Sequence, residues 1–141
     1  MAEDKLMMLE IVTPQEVVFS GKVQSCSVPG SVSPFQVLNN HAPIVSNLDP
    51  GIVKVVDESN KTLYFATNSG FTEVRKNQIS VLVENADEAG MLDMEAIKIE
   101  MKNTLDALNT VQTPEEKANI KKQLLLSEIK LKAVEKMKEV Q

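Results

Sequence analysis

Apolar and polar residues alternate in short runs through the first part of the chain, whereas beyond Gly90 the apolar residues recur at every third or fourth position. Alternation is typical of half-buried β-strands, and spacings of three and four are typical of amphipathic helices. The pattern therefore predicts a mainly β plus α fold. We expect an N-terminal β-sandwich or flattened barrel of about ten short strands, followed by a C-terminal antiparallel two-helix hairpin.

Turn residues set the boundaries of the predicted strands. A first strand ends at Thr13-Pro14, because proline cannot donate to a β-ladder. Ser20-Gly21 closes a second strand, so that a third begins at Val23. The last strand is expected to end at about Glu84, which leaves residues 85–91 as a linker. Tight turns are predicted at Asn39-Asn40 and Lys76-Asn77.

Composition divides the chain into two parts. All five glycines lie at or before Gly90, and five of the six prolines lie at or before Pro50. The remaining segment has almost none of these helix-breaking residues, so we expect it to form a module of its own. We therefore predict a β-sandwich domain over residues 1–86 and a helical hairpin over residues 87–141.

Capping residues indicate where the two helices begin. Asp93 can cap the first helix, and Thr113-Pro114 with Glu116 is a start signal for the second, because proline at the first helical position loses no hydrogen bond. The second helix can extend over about 27 residues, and we expect a turn of about two or three residues before it. The first helix has one apolar stripe, formed by Met94, Ile97, Met101, Leu105, Leu108 and Val111.

The second helix carries two apolar stripes about 130 degrees apart, so one neighbouring helix can cover only one of them. Two interpretations stay open here. The helix either packs between the first helix and the β-domain with a solvated lysine face, or it docks in one state and extends toward an acidic partner in another. The first stripe is Ile120, Leu124, Leu131 and Val134, and the second is Leu126, Ile129, Ala133, Met137 and Val140.

The chain offers few side chains for catalysis. His41 is its single histidine, and it contains neither a Gly-rich phosphate loop nor a pair of cysteines. A small hydrolase that uses His41 therefore has little support, and we expect no catalytic, cofactor-binding or metal-binding centre. Cys26 lies in an alternating strand pattern and is expected to be a buried, inert thiol.

Charge and hydropathy limit the class of partner. The net charge of −5 argues against nucleic acid as a partner. Residues 117–141 alone are basic, with seven lysines against three acids. No apolar run reaches the roughly 18 residues of a membrane span, and the N-terminus lacks the features of a signal or transit peptide. We expect a soluble chain made in the compartment where it works.

Several sequence blocks together resemble the epsilon subunit family of the bacterial and chloroplast rotary (F-type) ATP synthase. They occur in the family's order, and the set is more specific than any single block. The blocks are Leu9-Glu10-Ile11-Val12-Thr13-Pro14 with Val18-Phe19-Ser20-Gly21, Val28-Pro29-Gly30, Phe35-Gln36-Val37-Leu38, His41-Ala42-Pro43, Pro50-Gly51, and Ser69-Gly70-Phe71-Thr72-Glu73-Val74.

The resemblance implies a non-catalytic central-stalk subunit that couples proton flow to ATP synthesis. Its β-sandwich would bind the gamma subunit and the c-subunit ring, and its mobile hairpin would inhibit ATP hydrolysis by meeting the alpha and beta subunits. The implied gamma and c-ring interface is Gly30, Ser31, Val32, Ser33, Pro34, Phe35 and His41. The implied regulatory basic face is Lys121, Lys122, Lys132 and Lys136.

The resemblance also bears on nucleotide binding and on location. Some members of the family bind ATP through a hairpin motif, of which Leu92 and Asp93 are present here, whereas Ala96 replaces its arginine. We therefore expect no ATP cofactor. The implied location is the cytoplasmic face of the bacterial inner membrane, as a peripheral protein, with the stromal side of the thylakoid membrane as the alternative. A free-standing binding module, whose hairpin dimerises or grips another helix, is the competing hypothesis.

Overall fold

The computed structural model describes residues 5–139 in full and the backbone of Val140. Within this range the strands come first along the chain and two long helices follow, so the predicted fold class is confirmed. The strands are β1 (Met7–Val12), β2 (Val17–Val28), β3 (Phe35–Val37), β4 (Ile44–Leu48), β5 (Gly51–Asp57), β6 (Thr62–Thr67), β7 (Gly70–Arg75), β8 (Gln78–Val83) and β9 (Ala86–Glu88). The helices are α1 (Met94–Leu108) and α2 (Pro114–Val140).

The second and third predicted strands are one strand, so the predicted break at Ser20-Gly21 is wrong. β2 runs for 12 residues through that pair. Its first half pairs with β1, and its second half lies between β3 and β5. A register shift between Val23 and Ser25 bends the strand where it changes partners. β2 therefore passes from one layer of the sandwich into the other.

The two layers enclose one apolar core. β4, β7, β8, β1 and the first half of β2 form one layer, and β3, the second half of β2, β5, β6 and β9 form the other. Alternate residues of these strands point inward, as the period of a strand requires. Phe65 is the largest fully buried side chain, and its ring meets Phe19 edge to face at 6.0 Å. The core also contains Leu9, Ile11, Val23, Cys26, Val53, Val55, Val74, Ile79 and Val81.

The predicted tight turns at Asn39-Asn40 and Lys76-Asn77 are present. Asn40, Lys76 and Asn77 have φ values of 66, 51 and 60 degrees, the left-handed region that asparagine tolerates better than most residues. The two turns are also joined, because the Asn40 N–H donates to the Asn77 Oδ1 at 2.7 Å. This bond fixes the loop that carries His41 onto the β7–β8 hairpin.

The sheet extends beyond its predicted end at Glu84. Ala86–Glu88 form β9, which pairs antiparallel with β6, and a short 3-10 turn over Ala89–Met91 follows. The predicted linker is therefore mostly ordered structure. Two acidic residues in a three-residue strand give no apolar alternation, so the sequence pattern does not reveal this strand.

Both predicted caps form. The Asp93 carboxylate accepts from the Glu95 N–H at 3.0 Å, and the Thr113 hydroxyl oxygen accepts from the Glu116 N–H at 3.1 Å. α1, however, ends at Leu108, so residues 109–113 make a longer connection than predicted. At this end the Ala107 carbonyl accepts from the Thr110 N–H at 3.1 Å, the Val111 N–H at 3.2 Å and the Thr110 hydroxyl at 3.0 Å, so one carbonyl holds the last turn.

The hairpin lies docked on the sandwich. α2 packs between α1 on one side and β6, with part of β5, on the other. Buried Tyr64 and Ala66 of β6 lie with Ile129, Ala133 and Val134 of α2 in a second apolar cluster, which also contains Ile97 of α1 and which we call the hairpin cluster. The first interpretation of the two stripes therefore describes this state. Neither helix of the described chain is long and apolar enough to cross a bilayer.

Candidate functional site

The loop after β2 is built around Gly30. This residue is buried and bridges to Leu48, and a Cβ at its position would lie 2.5 Å from the Ser33 carbonyl oxygen. The loop can therefore close only over glycine. The Ser31 hydroxyl donates to the Asp49 carboxylate at 3.0 Å, which ties the start of the loop to the end of β4.

The tip of this loop faces water. Val32 is 100% exposed, and Ser33 and Pro34 are exposed as well. Phe35 is half-buried, and its ring lies 6.1 Å from that of His41 between centroids. The structure thus brings the loop and His41 together, as an interface would need, although Gly30 itself is buried and serves the loop's shape.

His41 is held by its own neighbours. Its Nδ1 lies 2.7 Å from the Ala42 carbonyl oxygen, and the ring is half-buried. Among the described residues, no group of three or more His, Cys, Asp and Glu side chains could hold a metal ion. The surroundings of His41 therefore give it a packing role in the loop.

A row of outward-facing apolar residues crosses the layer formed by β4, β7, β8, β1 and the first half of β2. Sequence reasoning missed this row. Val17 pairs with Val12, Val12 pairs with Leu82, and Leu82 pairs with Phe71, so these side chains share one face. Val45 of β4 pairs with Glu73, two residues after Phe71 on the same face of β7, and so lies beside this row. We call these five residues the apolar row. Val17, Val45 and Phe71 are 56%, 68% and 43% exposed. The signal was present in the sequence, because each occupies an outward position where a solvated strand usually carries a polar residue.

Part of the apolar row lies in an open groove of about 630 Å³. Val12, Phe71 and Leu82 line it, together with Pro14 and Leu48. Since Leu48 also bridges to Gly30, the groove adjoins the exposed loop. A contiguous apolar surface of this kind is typical of a protein-binding site.

The four lysines of the regulatory basic face, Lys121, Lys122, Lys132 and Lys136, are all exposed on α2. Sequence reasoning missed a different lysine. The Lys130 Nζ lies 3.9 Å from the Asp87 Oδ2 of β9, across the interface between the hairpin and the sandwich. No pattern along the chain could have paired these two residues, because β9 was itself not predicted.

The remaining predicted positions have structural roles. Leu92 packs against the hairpin cluster, Asp93 caps α1, and Ala96 is exposed at the position of the motif's arginine. Cys26 is fully buried, and burial raises the pKa of its thiol to about 12. A thiol with such a pKa stays protonated and unreactive at neutral pH, in line with the inert cysteine that we expect.

Comparison with known proteins identifies the family. Residues 6–89 match the family described as ATP synthase, Delta/Epsilon chain, beta-sandwich domain. The chain belongs to this family. The predicted resemblance to ATP synthase epsilon subunits is therefore confirmed, as is the expectation of a non-catalytic subunit of that complex.

Relatives of the family match to different extents. An ATP synthase epsilon chain of Pelotomaculum thermopropionicum is 42% identical over 91 residues, which are 64% of this chain and 67% of that one. The cyanelle epsilon chain of Cyanophora paradoxa is 27% identical over 89% of this chain and 95% of its own length. A chain of the mitochondrial ATP synthase of Euglena gracilis shares the fold, with a TM-score of 0.68 at 18% identity over 96% of this chain and 81% of that one. As a family member, the chain is part of a membrane-associated complex.

Proposed function

We propose that the chain is a central-stalk subunit of a proton-translocating ATP synthase, which couples proton flow to ATP synthesis and restrains ATP hydrolysis through its hairpin. The observation that carries the proposal is the apolar row, left uncovered on a sandwich whose residues 6–89 match this family. In this proposal residues 1–86 bind the partners and residues 87–141 regulate. β9 lies across that boundary.

The gamma subunit is the proposed partner of the groove. Phe71 is 43% exposed there and Val45 is 68% exposed beside it, so a partner that covers both removes apolar surface from water. Burial of apolar area contributes about 25 cal/mol per Å². The groove is open, which suits a protein surface better than a small ligand.

The c-subunit ring is the proposed partner of the exposed loop. Ser31, Val32, Ser33 and Pro34 project from the sandwich without a charged side chain among them. Because the base of the loop closes tightly over Gly30, the tip is already ordered before it binds, which lowers the entropy cost of binding. Phe35 and His41 support the loop from behind.

The four exposed lysines of the regulatory basic face are the proposed contact to acidic segments of the alpha and beta subunits. They lie on a docked helix in this structure, so contact with a distant partner needs the hairpin to leave the sandwich. Charged contacts of this kind are sensitive to ionic strength.

We place the complex on the cytoplasmic face of a bacterial inner membrane. The stromal side of a thylakoid membrane is the alternative. The bacterial relative supports the first location and the cyanelle relative supports the second. Fractionation of the native cells, followed by antibody detection of the chain, tests this placement.

Binding of the gamma subunit tests the groove. Phe71→Glu places a charge in the apolar row and should weaken binding to immobilised gamma by at least about tenfold, because a buried unpaired charge costs several kcal/mol. Ile99→Glu is the matched control, since Ile99 is 62% exposed on α1. Full binding by Phe71→Glu, or no binding by the unaltered chain, would overturn the assignment of gamma to the groove.

The hydrolysis assay tests the hairpin. Replacement of the four lysines of the regulatory basic face by glutamine should raise the ATPase activity of the reconstituted complex, as should deletion of residues after Gly90. Lys98→Gln with Lys102→Gln on α1 is the control, since both lysines are exposed. An ATPase rate that is indifferent to the deletion would remove the inhibitory role and leave the coupling role.

A further inference from the structure

α2 covers a row of side chains that comes from three neighbouring strands. Ile52 of β5 pairs with Ala66 of β6, and Ala66 pairs with Asp87 of β9, so the three side chains share the face that α2 covers. Ala66 and Ala133 of α2 are both fully buried in the hairpin cluster. Asp87, which pairs with Ala66 and is 38% exposed, therefore lies at the edge of this cluster.

Lys130 is the residue of α2 that meets this carboxylate. It lies one turn before Ala133 and Val134 on the docked side of the helix, with its Nζ 3.9 Å from the Asp87 Oδ2. The side chains are 19% and 38% exposed. This is the one ion pair found in the described part of the chain. The apolar contacts hold the hairpin at any ionic strength, whereas this pair can be screened.

We propose that Asp87 and Lys130 form a latch that holds the hairpin down, and that Lys130 changes partners when the hairpin extends. Asp87 pairs with Lys130 in the docked state. In the extended state Lys130 joins Lys132 and Lys136 as a further cation for an acidic protein segment. The latch rests on the proposed function for its second state only, because the docked state is the structure itself.

Removal of the Asp87 charge and removal of the Lys130 charge should then differ in their effect on the inhibition of ATP hydrolysis. Asp87→Asn weakens docking and leaves every lysine available, so it favours the extended state and strengthens inhibition of hydrolysis. Lys130→Gln weakens docking equally but also removes one cation from the extended state, so its inhibition is weaker than that of Asp87→Asn. A residue with a merely structural role in the docked state would give the two variants equal inhibition.

Two native probes separate docking from unfolding. Tyr64 is the only tyrosine of a chain without tryptophan, and it is 7% exposed within the hairpin cluster. Its fluorescence quenching by neutral acrylamide therefore reports on docking. Cys26 is the only cysteine and lies in the core of the sandwich, so its reaction with a thiol reagent reports on unfolding.

The experiment uses the isolated full chain at low and high salt. Asp87→Asn and Lys130→Gln should each raise the undocked population about two- to fivefold at low salt, the range expected for a partly exposed pair. Salt at about 1 M should remove that difference from the unaltered chain. Glu73→Gln on β7 and Lys138→Gln on α2 are the exposed controls. Asp87→Lys combined with Lys130→Asp should restore docking.

Quenching of Tyr64 that equals the unaltered chain in both single variants would overturn the latch. Labelling of Cys26 that rises together with quenching would also overturn it, because Asp87 would then support the sandwich fold. Neither result touches binding to gamma. Conversely, a chain that fails to bind gamma but shows the salt-dependent latch would refute the proposed function and leave the docked pair established.

Discussion

Gly70 provides the sharpest test of the packing between β7 and β8. It is the first residue of β7 and pairs with Val83 of β8. A Cβ at Gly70 would clash with the Leu82 carbonyl oxygen and would lie 2.8 Å from the Val83 Cα. Both are backbone atoms of a central strand, so they cannot move aside as a flexible side chain can. Gly70→Ala therefore has to displace β8.

Overpacking of a well-packed site costs about 1–3 kcal/mol, and backbone obstacles place Gly70→Ala at about 3 kcal/mol. Gly21→Ala is the matched control, because its Cβ would meet nothing closer than the Phe19 ring at 3.6 Å. We expect Gly21→Ala to change the free energy of unfolding by less than about 0.5 kcal/mol.

Urea unfolding followed by far-UV circular dichroism measures both variants, and the rate of Cys26 labelling checks that the sandwich is what unfolds. The two free energies of unfolding should differ by at least about 2 kcal/mol. A difference below about 0.5 kcal/mol would refute the argument that the β8 backbone leaves no room at Gly70.

Three further predictions concern single side chains. Phe65→Ala should lower the free energy of unfolding by about 3–5 kcal/mol in urea titrations, because Phe65 is 1% exposed and packs on Phe19. Thr113→Ala removes the cap of α2 at 3.1 Å and should cost about 1 kcal/mol, with faster hydrogen exchange at the Glu116 amide. Burial raises the pKa of Cys26 from 9.0 to about 12, so the folded chain keeps this proton where the unfolded chain loses it. The resulting stability is complete below about pH 9 and is lost toward pH 12, by up to about 1.4 kcal/mol per pH unit, and Cys26→Ala should lack that part of the slope.

Each of these has a result that contradicts it. A free energy loss below about 1 kcal/mol for Phe65→Ala would mean that the core collapses around the gap. Unchanged exchange at Glu116 would show that the cap contributes nothing to the start of α2. Equal slopes above pH 9 in the unaltered chain and in Cys26→Ala would place the titrating thiol outside the core.

Local signals predicted what is local in this fold. The caps at Asp93 and Thr113 and the turns at residues 39–40 and 76–77 depend on a few consecutive residues, and all four form. β2 could not be predicted as one strand, because a glycine such as Gly21 is compatible both with a turn and with the interior of a strand. β9 has no pattern of its own and exists because β6 offers it a partner.

The site divides in the same way. The loop that carries Val32 was implied by the resemblance to the epsilon subunit family, and the structure exposes it. Each strand shows an apolar residue at an outward position, but these residues form a row only once β2, β1, β8, β7 and β4 lie side by side. The Lys130–Asp87 pair likewise joins two elements whose packing no short segment encodes. Such features arise from register between distant strands and helices.

β6 also determines what departure of the hairpin would cost. Phe65 of this strand belongs to the sandwich core, while Tyr64 and Ala66 belong to the contact with α2, so both faces of the strand are covered. Departure of the helices would expose the apolar side chains on this face of the sheet to water. Hydration of those side chains would cost free energy. The docked position of the hairpin is therefore favoured, and only binding of the helices to a partner would compensate for leaving it.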